Sequence, residues 1–511
     1  MKCRQKILYN KSRIIYILIG SLIMVLVMYS LVTDRGDETI ADKKDGKALA
    51  KQYCQSCHME PSPLLLPKER WSSTILPVMG LFLGTTPVTI PTNEIEKSLF
   101  PTNPIMNTEE WQLLNNYYLQ NAPERLPDQK LRAPVTMALP MFDVVIPSED
   151  MFSTTSITSL CKIDTISHPR RIIVGNGMTR ELLFFDASLK LKKKLQTYGP
   201  VVDIAIRRDT MLMCQIGKDV TANDLNNGTI LFLLQHRKQM ENRILLDSLS
   251  RPVQILSSDF NGDRREDFLI AQFGNLKGNL SWMENISQNK YTAHLIKSMP
   301  GTLHSIIKDV NHDGLPDVWT LFAQGDECII LFTNKGNGAF EEKRILNFPP
   351  TYGSSSFELI DIDKDGDDDI VYTCGDNGDY SRILKPYHGL YIYLNNGADI
   401  FSETFFYPIN GCYKSITRDF DQDGDLDIAT ISYFPSSATP WESFVLLKNE
   451  GDFNFRPYTL PQDALFQKGV TMDAGDLDGD GKIDLLLGSG YYNSDVTRGH
   501  KEPLFILLKG K

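Results

Sequence analysis

Cys54-Gln-Ser-Cys57-His58 has residue types and spacing that can do chemistry directly. Its two thiols can each form a thioether with a vinyl group, and the imidazole that follows can reach a metal held between them. Cys-x-x-Cys-His is the attachment signature for c-type haem. A dithiol redox pair needs a βαβ context, which is absent around these residues, and a structural zinc site needs further ligands. No other histidine precedes His168, so a second axial ligand is expected to be a methionine. Met59 adjoins His58 and would have to cross the ring, which leaves Met79 and Met106. Either can also fill a core gap, because a thioether suits irregular apolar space.

Helices must position these groups. Residues 45–121 read as mostly helical, with Ala48-Leu-Ala-Lys-Gln-Tyr53 leading into Cys54 and Pro61 and Pro63 stopping that helix. A carbonyl in this turn is expected to accept the second ring hydrogen of His58. Asn107 is an N-cap with Glu110 in the capping-box position, and Trp111, Leu114 and Tyr118 share one face of the helix that follows.

The second pattern is a repeated acidic loop. Its starts lie 50, 52, 58 and 57 residues apart, the spacing of a structural repeat. The ideal form is Asp-x-Asp/Asn-x-Asp-Gly-x-x-Asp, with oxygens at positions 1, 3, 5 and 9 able to converge on one hard cation and a glycine at position 6 for the turn. Four loops keep it: Asp309, Asn311, Asp313 and Asp317; Asp361, Asp363, Asp365 and Asp369; Asp419, Asp421, Asp423 and Asp427; Asp476, Asp478, Asp480 and Asp484. The first loop keeps Asp259, Asn261, Asp263 and Asp267 but has Gly262 at position 4 and Arg264 at position 6, so it reads as a weak or empty site without the glycine turn. An apolar strand follows every loop, which excludes an EF-hand. The blander reading, carboxylates capping solvent-facing turns, leaves five copies at fixed internal spacing unexplained. About four structural calcium ions are expected, with a weak fifth.

Two regions before the first loop, 156–186 and 201–235, hold short β-type strands without the acidic ladder. Counting them gives seven units with starts near 155, 200, 252, 303, 355, 413 and 470. Radially arranged four-stranded blades fit this better than a solenoid, since no polar capping repeat is evident.

Ahead of these parts, a basic segment (1–13) precedes the 19-residue apolar run Ile14 to Val32, long enough to span a bilayer. The charge bias places the rest of the chain on the exported side. The blander reading is a cleaved signal peptide, but no clean small-x-small site is present. The expected fold class is therefore multidomain: an N-terminal membrane helix (14–32), a small all-α haem domain (40–122), a polar, proline-bearing linker (123–134) and an all-β seven-bladed propeller (135–511). The chain has 511 residues, 64 acidic and 53 basic, for a net charge of −11. That balance, with no basic stripe or zinc-finger spacing, argues against a nucleic-acid partner.

The acidic loops and their strands resemble the FG-GAP or VCBS-type repeats of integrin-like propellers, well over 250–510 and poorly over 135–250. That resemblance implies seven blades with calcium in the loops. Tyr53-Cys-Gln-Ser-Cys57-His58, Trp71, Leu76-Pro-Val-Met79-Gly, Glu110-Trp111, Tyr117-Tyr118 and Ala122-Pro123 resemble the small cytochrome c-like domains fused to such repeats in exported bacterial proteins. This second resemblance implies one covalent haem c, a periplasmic or cell-surface location, and Met79 as the second axial ligand.

Three functions stay open on these residues. The first is an anchored electron-transfer cytochrome whose propeller docks a redox partner protein. The second is a propeller oxidoreductase, for example sugar-oxidising, that passes electrons to its own haem. The third is an adhesion module, with a carbohydrate or protein ligand, that carries an accessory haem. Placed bases are few: His168, His236, His294, His304, His312, His388 and His500 show no pairing motif, and neither a nucleophile elbow nor a phosphate loop occurs. Electron transfer therefore reads ahead of substrate conversion. Cys161, Cys214, Cys328, Cys374 and Cys412 are odd in number and sit in apolar strands, where a buried free thiol is the bland expectation.

Overall fold

The chain forms seven blades of four antiparallel strands, six of them built wholly from Ser156 onward and the seventh completed by an earlier strand, and Thr136–Met137 adds a parallel fifth strand to blade 6. The computed structural model describes residues 45–511 except 87–98, 492–500 and short stretches at 131, 154, 208–209, 222, 236–239, 288–289, 377, 379–382 and 465. The first strands of the seven blades are Ser156–Asp164, Val201–Ile206, Pro252–Ser258, Thr302–Lys308, Ser354–Ile360, Cys412–Arg418 and Gly469–Gly475. Each contacts the first strand of the next blade, and the seventh contacts the first, so the ring closes.

Apolar packing between blades holds the ring. Side chains alternate across a strand, so a strand with neighbours on both faces must be apolar on both. Asp267–Gln272 shows this: Phe268 and Ile270 pack towards blade 2, and Leu269 packs towards blade 4. Among the described residues each of the seven blade-to-blade interfaces has its own buried cluster.

Closure brings the two ends of the ring together. Blade 7 takes three strands from the C-terminal end, Gly469–Gly475, Asp484–Tyr491 and Phe505–Gly510. Its outermost strand is Phe142–Val145, which pairs antiparallel with Phe142 opposite Gly510 and Val145 opposite Leu507. Nothing local in the sequence marks this pairing.

The expected fold class needs correction. The described chain is predominantly β, and an independent all-α cytochrome c-like domain is not formed. Among the described residues, the α-helices of seven residues or more that precede the propeller are α1 (Gly46–Cys54), α2 (Leu76–Phe82) and α3 (Thr108–Asn121), of 9, 7 and 14 residues. Helices this short depend on tertiary packing. Their cluster, built on Leu49, Trp71, Met106, Leu114 and Tyr118, takes Ile383 from blade 5 as a packing partner. The membrane span expected over 14–32 lies outside the described residues, and no described helix is long and apolar enough to cross a membrane.

Phe142 is buried and meets Phe420 edge-on with ring centroids 5.4 Å apart. Phe142→Ala should lower the stability of the closed ring by about 3–5 kcal/mol in denaturant unfolding, the usual cost of an emptied aromatic site. A change under about 1 kcal/mol would show that this strand is not needed for closure.

Candidate functional site

The five acidic loops share one hydrogen-bond pattern. Position 9 opens the second strand of its blade and is buried in all five (Asp267, Asp317, Asp369, Asp427, Asp484). Its Oδ2 accepts the backbone N–H of position 2 at 2.9–3.2 Å. Its Oδ1 accepts an N–H from the end of the third strand at 2.7–2.9 Å, given by Asn285, Asn334, Asn395, Asn449 and Gly510 in turn. One carboxylate thus ties the loop, the second strand and the third strand together. Position 1 accepts the N–H of position 6, and position 5 accepts the N–H of position 7, in every loop.

Positions 4 and 6 of every loop have positive φ. Glycine takes position 6 in four loops, and Arg264 takes it in the first with φ 66°. The turn expected to be lost there is kept, because the donors from Gly262, Asp263 and Arg264 to Asp259 fix it despite the side chain. Three loops also gather carboxylate oxygens within 4.8 Å of one another: Asp361, Asp363 and Asp365; Asp419, Asp421 and Asp427; Asp476, Asp478 and Asp484. Burial and neighbouring carboxylates push Asp369 up to about 6 and Asp427 up to about 7.

Sequence reasoning missed the third-strand partners. A signal was present in three blades, where Asn334-Lys-Gly336, Asn395-Asn-Gly397 and Asn449-Glu-Gly451 recur. In blades 3 to 6 the asparagine also returns its amide to the carbonyl of position 8 at 3.3 Å.

At the Cys-x-x-Cys-His stretch, α1 ends on Cys54, capped at its start by Asp45. The N–H groups of Cys57 and His58 both lie 3.4 Å from the Cys54 carbonyl. His58 Nδ1 is 2.8 Å from the Met59 carbonyl, which can only accept, so Nδ1 donates and Nε2 is left free. Cys54 and Cys57 are not joined in a disulfide. Cys54 sits against the core beneath the Tyr118 hydroxyl, and burial pushes its thiol up to about 11. A redox dithiol needs the opposite, a lowered thiol. Met79 is half-buried on α2, whereas Met106 is packed inside the helical cluster. Asn107 and Glu110 form a capping box at the start of α3.

Blade 5 carries this helical segment. The Tyr387 hydroxyl donates to the Leu65 carbonyl at 3.1 Å, and Gln129 Nε2 donates to the His388 carbonyl at 3.1 Å. Arg132 is paired with buried Glu442. Beneath this seat, buried Glu327 accepts from Gly353 N, Ser354 N and Ser354 Oγ, and its carboxyl is pushed up to about 7 by burial.

Near the axis, acidic groups serve as ties between blades. Asp203 accepts from Ile255 N at 2.9 Å, and Glu358 accepts from Thr417 N at 2.7 Å. His304 lies edge-on to Phe357, and burial holds it down to about 4. His294 stacks on Trp282 and pairs with Glu284 at 2.7 Å. His236 and His500 lie outside the described residues. Cys161, Cys214, Cys328, Cys374 and Cys412 are all buried and unpaired.

A model of FG-GAP-like repeats matches residues 309–372 and 419–487, each stretch running from one acidic loop through the strand after the next. The chain therefore carries FG-GAP-like repeats on a propeller-like all-β fold. No curated protein matches it. Among solved structures, virginiamycin B lyase from Staphylococcus aureus is 10% identical, with 72% of this chain and 98% of that one covered and a TM-score of 0.43. Saccharomyces cerevisiae Sqt1 is 8% identical over 70% and 97%, with a TM-score of 0.43. The N-terminal domain of Nup159 is 12% identical over 75% and 98%, with a TM-score of 0.42.

Two measurements check this geometry. Asp369→Ala leaves the buried Ile362 N–H and the part-buried Asn395 N–H unpaired and should cost about 2–5 kcal/mol in denaturant unfolding, in chelator as well as without it. A loss that vanishes in chelator would make the residue a metal ligand alone. Glu327 ionises near 4.5 in an unfolded chain and near 7 when folded, so its favourable contribution is complete below pH 4.5 and lost as pH rises through 7. Wild type should lose up to about 3 kcal/mol relative to Glu327→Gln between pH 4.5 and 8. A difference that is flat with pH would refute this.

Proposed function

We propose that this chain is a calcium-stapled propeller that carries covalently attached haem at Cys54, Cys57 and His58 and exchanges electrons with a partner docked on the propeller. One observation carries the haem reading: the Met59 carbonyl fixes Nδ1 of His58 as a donor and leaves Nε2 for iron, beside two unpaired thiols at the required spacing. The raised Cys54 thiol speaks against a dithiol redox role. Haem bound there would supply a one-electron carrier. The chain's own part is to orient the imidazole and to hold the thiols at the end of α1, which packs on Trp71 and Tyr118, whose ring centroids are 4.4 Å apart. Met79 is the proposed second axial ligand, and Met106 is a core filler.

The loops fit calcium by their donor set, all oxygens and mostly carboxylates. Asp361 Oδ1 and Asp419 Oδ1 are buried without a hydrogen-bond partner, as atoms awaiting a cation would be. Both groups belong with export, where haem is attached and calcium is plentiful. A substrate-converting propeller finds less support, because Asp203 and Glu358 are committed to bonds between blades.

Expression with haem-attachment machinery is the test. The purified chain should keep haem absorbance after denaturation, and Cys54→Ala with Cys57→Ala should lose it. Met79→Ala should shift the ligand spectrum, whereas Met106→Ala should leave the spectrum intact and cost about 2–5 kcal/mol of stability. Absence of covalent haem under these conditions would sink the reading.

A further inference from the structure

The residue just before the third-strand cap of position 9 differs from blade to blade: Glu284, Thr333, Leu394, Lys448 and Lys509. In blade 6 Lys448 Nζ contacts Asp421 and lies 3.5 Å from Asp423. In blade 7 Lys509 Nζ is 2.6 Å from Asp478, and Arg170 Nη1 is 3.1 Å from Asp476. These ammonium groups bond the same position-3 oxygens that a metal would take. Blade 5 has Leu394 instead. Among the described residues Asp361, Asp363, Asp365 and Asp369 have no ion-pair partner, and Lys364 of that loop reaches Asp425 of the next loop at 2.7 Å.

We propose that Lys448 and Lys509 are built-in counter-cations that compete with the metal in blades 6 and 7, and that the blade 5 loop is the tightest divalent-cation site of the three. A primary ammonium at 2.6 Å supplies one positive charge at the place where a divalent ion would bind. Entry of the ion must displace it, which weakens binding. Blade 5 offers the same carboxylates with nothing to displace. The inference rests on the calcium reading above.

Calcium titration by calorimetry on the whole chain, stripped with chelator, tests it. Of the blade 5, 6 and 7 sites, wild type should show the tightest at the one that Asp363→Asn removes. Lys448→Met and Lys509→Met should each tighten one weaker site by about tenfold or more, and Leu394→Lys should weaken the tight site by a similar factor. Leu394→Lys keeps the inference testable should the methionine variants fold poorly. Three equally tight wild-type sites, or lysine variants with unchanged affinities, would overturn the competition while leaving calcium binding in place. No calcium binding by any form would overturn both.

Discussion

A buried aspartate with two backbone donors is the constraint on which each stapled blade depends. Position 9 closes the corner where the first strand ends and the second begins, and it also captures the end of the third strand. Burying a carboxylate is costly unless its lone pairs are filled, and the two N–H bonds fill one on each oxygen. The cost remains visible: burial pushes all five position-9 carboxyls upward. Carboxylates at positions 1, 3 and 5 add repulsion to the same corner. The fold therefore creates a need for positive charge, which lysines meet in blades 6 and 7.

Blades 1 and 2 show that the corner can be closed by other means. In blade 1, buried Asp164 ends the first strand and accepts from Ile166 N and Ser167 N. Arg171 opens the second strand and pairs with it at 2.7 Å. An ion pair supplies there what the acidic ladder supplies elsewhere. In blade 2 only three residues separate the two strands, and Arg207 N is bonded to the Thr210 carbonyl, which leaves no long corner to staple. The weak repeat signal over 135–250 thus reflects different solutions to one geometric problem.

What was legible in the sequence was local. The acidic loops, the strands after them and the capping box at Asn107 involve residues within nine positions of one another, so spacing alone exposes them. The third-strand partners lie 17 to 26 residues from their aspartates, at separations set by outer hairpins of varying length. The Phe142–Val145 strand pairs with the far end of the chain, and no pattern records that. Helical periodicity over the described parts of 45–121 was real, but periodicity reports a helix and not whether the helices enclose a core of their own. Here they share one with blade 5. Arg264 misled for a related reason: residue type suggests a turn, but the donors around Asp259 decide it.

The topology of blade 5 separates its two roles. Its acidic loop joins the first strand to the second, whereas the 375–388 segment that seats the helices joins the second to the third. Consecutive turns of an antiparallel sheet lie at opposite ends of the strands. The six-residue strand Asp369–Cys374 therefore puts about 20 Å between them. A cation held in the loop would sit at the end of the blade away from the helices. The strand between runs from Asp369 at the loop to Cys374 at the seat, whose Sγ is 3.4 Å from the Tyr387 carbonyl. That geometry makes the loops scaffolding for the seat.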